Sequence, residues 1–578
     1  MKHKGQRDLL TVILEDYFHV GALSGLISSR EWYRFETRFE KNTLKTLDFL
    51  KQFDVQATFF VLGWIAEKHP ELIAEVARQG HEVANYGFHH KNVRQMTREE
   101  FREDARRSRD AIEIATGKRV IGYRMPQGLH SPSDFWILDT LAEEGYVYDS
   151  SVFPSSQLGS RFREVYEHQN QSGRLWEFPH ATLNLLGYRL PISGGNYFRQ
   201  IPHTLLKHAV SHWKEQTTAP LMIYFHVWEL DPEQPRISAT SWLTRTRQYR
   251  NLNKMQWVLR DYFSKYKFGS VADYLGCDTQ AASVVGRRPV LEIQTGTLEP
   301  PVRKPAVRTP VTVVVPCYNE RPTLPYLANT LESVTKLLDP DFDLSFIFVD
   351  DRSTDGTPEL LQRLFGNKPN CRIVEHPQNL GVAAAIFTGI RHAQTEVVCS
   401  IDCDCSYDPH ELMHMIPMLT QGVDMVTASP YHPQGKVTNV PSWRLTLSKG
   451  ASWLYGKVLR HKLATYTSCF RVYRRSKVVD LQLSEPGYLG VAEILALIDL
   501  RGGSIKEFPT TLHVRILGQS KMKVARTVVG HLKNLRRFRQ MRVLLDRTPS
   551  LAVTKHESAA QPSTTHSLDD SHVRTLND

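Results

Sequence analysis

Apolar runs of strand length alternate with amphipathic helical stretches along most of the chain. In the first half LLTVIL, QATFFVLG and HEVANYGF are strand-like, separated by helical patterns that end in DFLKQF and run through ELIAEVARQG. This strand-then-helix rhythm predicts a parallel sheet or barrel with helices outside. Periodicity stops over about 279–309, where GRRPVLEIQTGTLEPPVRKPAVRTP is rich in Pro, Thr, Gly and Arg and reads as a linker. A second series opens at VTVVVPCYNE and continues through LSFIFVDD, CRIVEHP and EVVCSIDCD to about residue 547. The remaining Ser-, Thr-, His- and Asp-rich stretch reads as a disordered tail. The expected divisions are 1–278, 279–309, 310–547 and 548–578.

Length agrees with this division, because 578 residues exceed what one core organises. The start, MKHKGQRDLLTVIL, has only a brief apolar run before Glu15 and Asp16, so it predicts a first strand and no signal peptide. No stretch approaches the roughly eighteen apolar residues of a membrane-spanning helix. Of the seven cysteines, Cys399, Cys403 and Cys405 sit on or beside one strand and cannot readily pair with one another. That usage predicts reduced thiols and a cytoplasmic protein.

The net charge of +11 is concentrated: 521–547 holds nine Lys or Arg against one acid, Asp546. Ala525, Val528, Leu532, Leu535, Phe538, Met541 and Leu545 recur there at a helical period. A basic amphipathic helix predicts peripheral attachment to the inner face of a membrane, or docking on its own domain with a solvated basic face. Charge this localised, with no recognition motif, argues against nucleic acid as a partner.

Candidate chemistry lies at three strand ends of the second series. The first carries Pro316, Cys317, Tyr318, Asn319 and Glu320; the second Asp350 and Asp351; the third Asp402 and Asp404. Ligands of open parallel sheets bind where strands end at their carboxyl side. In an extended segment, residues i and i+2 face the same way, so Asp402 and Asp404 would present paired carboxylates. Such a pair suits Mg2+ or Mn2+, which would neutralise a departing nucleoside diphosphate. In NLGVAAAIFTGI, Asn379 and Gly381 lead into a helix whose N-terminus would lie beside the donor; a plain turn glycine is the alternative.

The stretches VVVPCYNE, FVDDRSTDGT, NLGVAAAIFTGI, SIDCDCSYDP, TSCFRVYRR and VRILGQSKMK resemble family 2 glycosyltransferases, in particular the dolichyl- or polyprenyl-phosphate mannose synthase-like branch. The resemblance spans about 311–539 and implies an α/β GT-A (Rossmann-like) domain using a GDP- or UDP-sugar. It implies that Pro316, Tyr318, Glu320 and Asp351 line the nucleotide pocket and that Asp402 and Asp404 handle metal and sugar diphosphate. Arg471, Arg515 and Lys521 become candidates for phosphate contacts. A phosphate acceptor is already an anion and needs cations more than a base, so the basic C-terminal run suits a polyprenyl phosphate; a glycan precursor is the other acceptor. Tyr466 and Cys469, in TYTSCF, stand where many relatives carry an acid and a glycine.

The first half, through LEDYFHV, GHEVANYGFHH, GYRMPQG, YVYDSSVFP, GGNYFRQIP and YFHVWELDPEQPR, resembles the polysaccharide deacetylase (NodB-homology) family, a distorted (β/α) barrel. That resemblance implies a divalent ion such as Zn2+ on one Asp and two His, with a carboxylate base and a His acid. Asp16 and His90 match metal positions, Glu15 the nearest base and His226 the acid. Tyr86 replaces a metal His, a neutral phenol for an imidazole, and Ile13 stands where relatives often carry another Asp. Arg124 remains as a candidate glycan contact beside Pro126 and Asp149. The expectation is a deacetylase of weakened or lost activity. A working N-deacetylase in a bifunctional enzyme and a non-catalytic glycan-binding or scaffolding module are the alternatives.

Overall fold

The computed structural model describes residues 7–154, 158, 164–170, 173–185, 188–279, 308–438, 442–518 and 524–547. Of the linker expected over 279–309, residues 280–307 lie outside them, as does the tail expected over 548–578. Packing divides the chain into two compact units. One is drawn from Met1–Val307, Glu320–Lys336 and Arg515–Ser520, and the other from Arg308–Asn319, Leu337–Val514 and Lys521–Asp578.

The strands of the first unit are β1 (Asp8–Leu14), β2 (Thr58–Val61), β3 (Glu82–Asn85), β4 (Gly122–Tyr123), β5 (Tyr148–Asp149), β6 (Tyr166–Asn170), β7 (Gly173–Glu177), β8 (Thr182–Leu185), β9 (Tyr188–Pro191), β10 (Met222–His226) and β11 (Phe268–Gly269). The main sheet runs β10-β1-β2-β3-β4-β5-β7-β6, with β11 also on β1. Its pairings are parallel except for the β6–β7 hairpin. All seven residues of β1 are buried, as expected of a strand covered on both faces. Arg124, just after β4, donates from Nη1 to Thr11 Oγ1 on β1 at 2.8 Å. A flat sheet would hold strands three places apart at about 14 Å. The sheet therefore curls into a barrel, and Arg124 braces it across the interior.

In the second unit the strands are β12 (Thr309–Cys317), β13 (Phe342–Asp350), β14 (Cys371–Glu375), β15 (Val397–Ser400), β16 (Met425–Ser429), β17 (Lys436–Thr438), β18 (Arg471–Arg474), β19 (Ile505–Pro509) and β20 (Thr511–His513). The sheet order is β14-β13-β12-β15-β18-β16-β19. β14, β13, β12 and β15 are parallel, and β18 runs antiparallel to both its neighbours. β12 pairs with β13 from Thr309↔Phe342 to Cys317↔Asp350, so those strands end side by side. Chain order reverses between β12 and β15, which is where open α/β sheets leave a crevice for ligand. The helix Val382–His392 lies close on β12, where a Cβ on Gly389 would come within 2.2 Å of Val314.

Arg471, on β18, is fully buried. It donates to Thr427 Oγ1 (3.3 Å), Val491 O (2.6 Å) and Tyr466 O (2.8 Å). The phosphate contact expected of Arg471 is thus corrected: its guanidinium ties β16, β18 and the helix Tyr488–Leu500 together inside the unit. Arg471→Ala strands three buried acceptors and should cost about 3 kcal/mol or more. Thermal unfolding should show a transition lowered by roughly 6 °C or more, with nucleotide affinity well below that temperature unchanged.

Candidate active site

Backbone strain marks the same loops that the sequence singled out. Among the described residues, six non-glycine residues have φ between 51° and 62°: Asp54, His90, Asn251, Asn319, Arg352 and Cys405. Asn319, Arg352 and Cys405 follow the ends of β12, β13 and β15, and His90 follows β3. Left-handed backbone at such residues persists only where surrounding contacts enforce it, and it clusters at functional sites.

In the second unit Asn319 couples the first two strand ends. Its amide N–H donates to Ser353 Oγ (2.8 Å), and its Oδ1 accepts from Thr354 N–H (2.6 Å). Pro316 is held within β12 opposite Val349, whereas Tyr318 is exposed. The two adjacent aspartates divide their tasks. The Asp351 carboxylate is buried and accepts from Leu380 N–H and Gly381 N–H, both at 2.7 Å, and shares a 2.7 Å hydrogen bond with His376 Nδ1. It braces the loop that enters Val382–His392. Asp350 is the aspartate with an uncommitted oxygen: Oδ2 accepts from Ser353 N–H at 3.0 Å, while buried Oδ1 has no hydrogen-bond partner. Nothing in FVDD told the two apart.

Gly381 is more than a turn residue. Its φ is +100°, and a Cβ there would lie 2.7 Å from Pro486 O and 2.8 Å from Gly487 Cα. Only glycine lets the loop approach that backbone.

β15 ends at Ser400, and 402–405 form a turn closed by Cys405 N–H on Asp402 O at 3.2 Å. The extended segment assumed from the sequence is therefore corrected to a turn. Its alternation survives all the same: Ile401, Cys403, Cys405 and Tyr407 are buried, while Asp402, Asp404, Ser406 and Asp408 are partly exposed. Asp404 Oδ1 accepts from Ser406 N–H at 2.9 Å. Asp402 accepts from the Cys469 thiol, which burial and then that carboxylate hold well above the usual thiol range. Glu320 and Arg515 form an ion pair in the first unit, and Arg515 Nε also donates to Leu517 O at 2.9 Å. Lys521 lies outside the described residues.

The barrel opens on a cavity of about 550 Å³ lined by Ile13, Glu15, Tyr86, His90, Arg124 and His226 among others. Glu15 sits between two imidazoles, with Oε1 2.8 Å from His226 Nδ1 and Oε2 3.3 Å from His90 Nε2. Burial would raise its carboxyl, but His226 and His90 together outweigh that and hold it well below the usual range. Asp16 is not a lining residue. Its oxygens accept from Tyr17 N–H (2.9 Å), Arg38 N–H (2.6 Å) and Phe39 N–H (3.0 Å), which places it at the start of the helix Phe39–Lys51. Burial lifts its carboxyl to about 7 against the pull of those amides.

The family's metal set is accordingly not assembled: Asp16 is committed to backbone, Tyr86 is a buried phenol raised well above its usual range by burial, and His90 pairs with Glu15. Among the described residues no group of three His, Cys, Asp or Glu side chains is arranged to hold a metal ion. Arg124 is corrected too. Besides Thr11 it donates to Ser150 O and Ser150 Oγ, so it is a brace rather than a free glycan contact. Sequence reasoning missed Glu177, buried against Asp149; burial raises both carboxyls, and no motif announced the pair.

A parallel-centred α/β sheet with acidic loops at its reversal point is suited to a ligand bound at the carboxyl ends of the strands. Residues 312–481 match the profile of glycosyl transferase family 2, and the chain belongs to that family. It is 30% identical over 232 residues to the polyprenol monophosphomannose synthase of Mycolicibacterium smegmatis, covering 39% of this chain and 84% of that one. It is 28% identical over 246 residues to the dolichol-phosphate mannosyltransferase of Pyrococcus furiosus, covering 42% and 67%. Residues 32–145 match the polysaccharide deacetylase profile, and 150–276 a domain of unknown function (DUF3473). Among solved structures, a CE4 family pseudoenzyme from Bacillus anthracis aligns with 47% of this chain and 66% of its own, at 16% identity and a TM-score of 0.26. The protein is a family 2 glycosyltransferase with a polysaccharide deacetylase-like domain in its first half.

Asp16 as a helix brace has measurable consequences. Asp16→Ala should lower the thermal transition by the equivalent of about 1–2 kcal/mol, equally with and without EDTA; a metal ligand would make the loss chelator-dependent. Because folding raises this carboxyl, its contribution to stability falls as pH rises from the ordinary aspartate value to about 7. Asp16→Asn should remove that part of the slope in a pH series of unfolding midpoints.

Proposed function

We propose that the second unit transfers a sugar from a GDP- or UDP-linked donor to a polyprenyl phosphate, and that the barrel is a deacetylase-like module with weakened or lost hydrolytic activity. The observation that carries the first reading is that Asp350, with a buried unpaired oxygen, and the partly exposed Asp402 and Asp404 turn lie at or just past the carboxyl ends of β13 and β15, the two strands that flank β12. Asp350 Oδ1, buried and without a hydrogen-bond partner, would accept from an N–H or O–H of the nucleoside. Asp402 and Asp404 would hold Mg2+ or Mn2+, whose chemistry is to offset charge on the departing diphosphate. The relatives named for polyprenol and dolichol phosphates support a lipid phosphate, an acceptor that needs no general base. For the barrel, the support is the commitment of Asp16 to backbone amides and the phenol at Tyr86.

A lipid acceptor requires access to a membrane surface, and no helix among the described residues is long and apolar enough to cross one. Two neighbouring helices suit peripheral contact. Tyr455 of Ser442–Val458 shares a 2.9 Å hydrogen bond with His531 of Val524–Arg547, and Leu535 and Phe538 are buried there. The sequence pattern placed Val528, Leu532 and Leu545 on the same apolar face, but they are exposed, with Val529 and Trp453, among exposed Lys449, Lys457, Lys533, Arg536 and Arg539. Apolar side chains in a basic field fit an anionic bilayer surface.

With Mg2+ or Mn2+, the purified chain should move label from one of a panel of GDP- and UDP-sugars to a short polyprenyl phosphate, and Asp404→Ala should reduce transfer at least 100-fold. Transfer by Asp404→Ala at the parent's rate would sink the reading; acetate release from acetylated glycans would overturn the account of the barrel. Val529→Glu with Leu532→Glu should weaken sedimentation with anionic vesicles at least tenfold while sparing transfer to a short, water-soluble acceptor.

A further inference from the structure

Cys317 is the last residue of β12, and Cys403 sits between Asp402 and Asp404. Although 86 residues apart in sequence, their sulfurs are 3.8 Å apart. Both belong to the second unit, and their side chains are 1% and 5% exposed. Contact of two thiols is common in cores; what distinguishes this pair is the stiffness of one side and the contents of the other.

Cys317 is held by pairing of β12 with strands on both flanks and by Asp351 N–H on its carbonyl at 2.8 Å. Cys403 belongs to a short turn that ends on left-handed Cys405. A disulfide has sulfurs about 2.05 Å apart, so bond formation must close most of the present gap. The strand cannot yield without breaking its ladder, and the turn can. Asp402 and Asp404 flank Cys403 directly and would be carried with it.

We propose that Cys317 and Cys403 form a reversible disulfide that switches transfer off by displacing the acidic turn. This rests on the transferase reading of Asp402 and Asp404. The oxidant is a low-molecular-weight disulfide. One thiol, deprotonated, attacks it and expels one small thiol; the second protein thiolate then attacks the mixed disulfide and expels the other. Two protein thiols lose two protons and two electrons, and one small disulfide becomes two thiols. A dithiol reductant reverses the sequence. Displacing a catalytic group by about 1 Å costs on the order of 100-fold in rate, so the oxidised protein is close to inactive.

The experiment treats the full chain with oxidised glutathione, then divides it between non-reducing peptide mass mapping and the transfer assay. A cross-linked Cys317–Cys403 peptide is expected, together with a loss of transfer of at least tenfold that dithiothreitol restores. Cys317→Ser and Cys403→Ala, with thermal transitions matching the parent's, should each keep their own reduced-form rate of transfer when the oxidant is added, whereas Cys405→Ser should remain sensitive. Absence of the cross-linked peptide overturns the proposal. So does a cross-link that leaves transfer unchanged, or inhibition that persists in Cys317→Ser. If no donor supports transfer at all, the transferase reading fails by itself, and the peptide map still decides whether the disulfide forms.

Discussion

The Asp351 carboxylate, with two backbone amides and an imidazole all at 2.7 Å, holds the end of β13 to the loop that enters Val382–His392. A buried carboxylate without such partners would cost several kcal/mol and would neutralise itself. Its need for donors draws the 379–381 loop against the end of β13, and the approach to Pro486 and Gly487 then admits only glycine at 381. With Asp351 so occupied, the oxygen left unpaired at that strand end belongs to its neighbour, Asp350.

The barrel uses the same device at its own first strand end. Asp16 accepts three backbone amides and anchors the entry to Phe39–Lys51. Arg124, which could have offered a glycan a cation, bridges strands that lie opposite each other across the curled sheet. Among the residues lining the cavity, Glu15 sits between His90 and His226, with Tyr86 and Ile13 also on its wall. A metal site needs ligands that converge while uncommitted to other partners, and here the principal carboxylate and one imidazole position have gone elsewhere. The braces at Asp16 and Arg124 serve the strands and the first helix rather than a substrate.

The loops of the second unit answer to two demands at once. They must be short and held by neighbours, or acidic side chains of like charge would separate; they must also leave those side chains reachable. The 401–408 segment meets both by burying alternate residues and exposing the acids. The residues that bury are partly cysteines, so the packing that presents Asp402 and Asp404 is also what brings the Cys403 sulfur to Cys317.

Much of this was legible from residue order, because local periodicity reports which segments are covered and loop chemistry reports where the chain turns. The two βα series, the acidic strand ends, the defect at Tyr86 and the basic helix were all open to that reasoning. Partnership was not. Asp351 and Asp350 are neighbours in sequence with different fates, settled by amides some thirty residues away. Arg471 looked like a phosphate ligand until its donors were found on carbonyls inside the unit. Asp16 belongs to a helix that begins at Phe39, and Cys317 meets a thiol 86 residues on. A titratable or polar side chain takes its role from the groups that satisfy it, and folding brings those groups from distant parts of the chain.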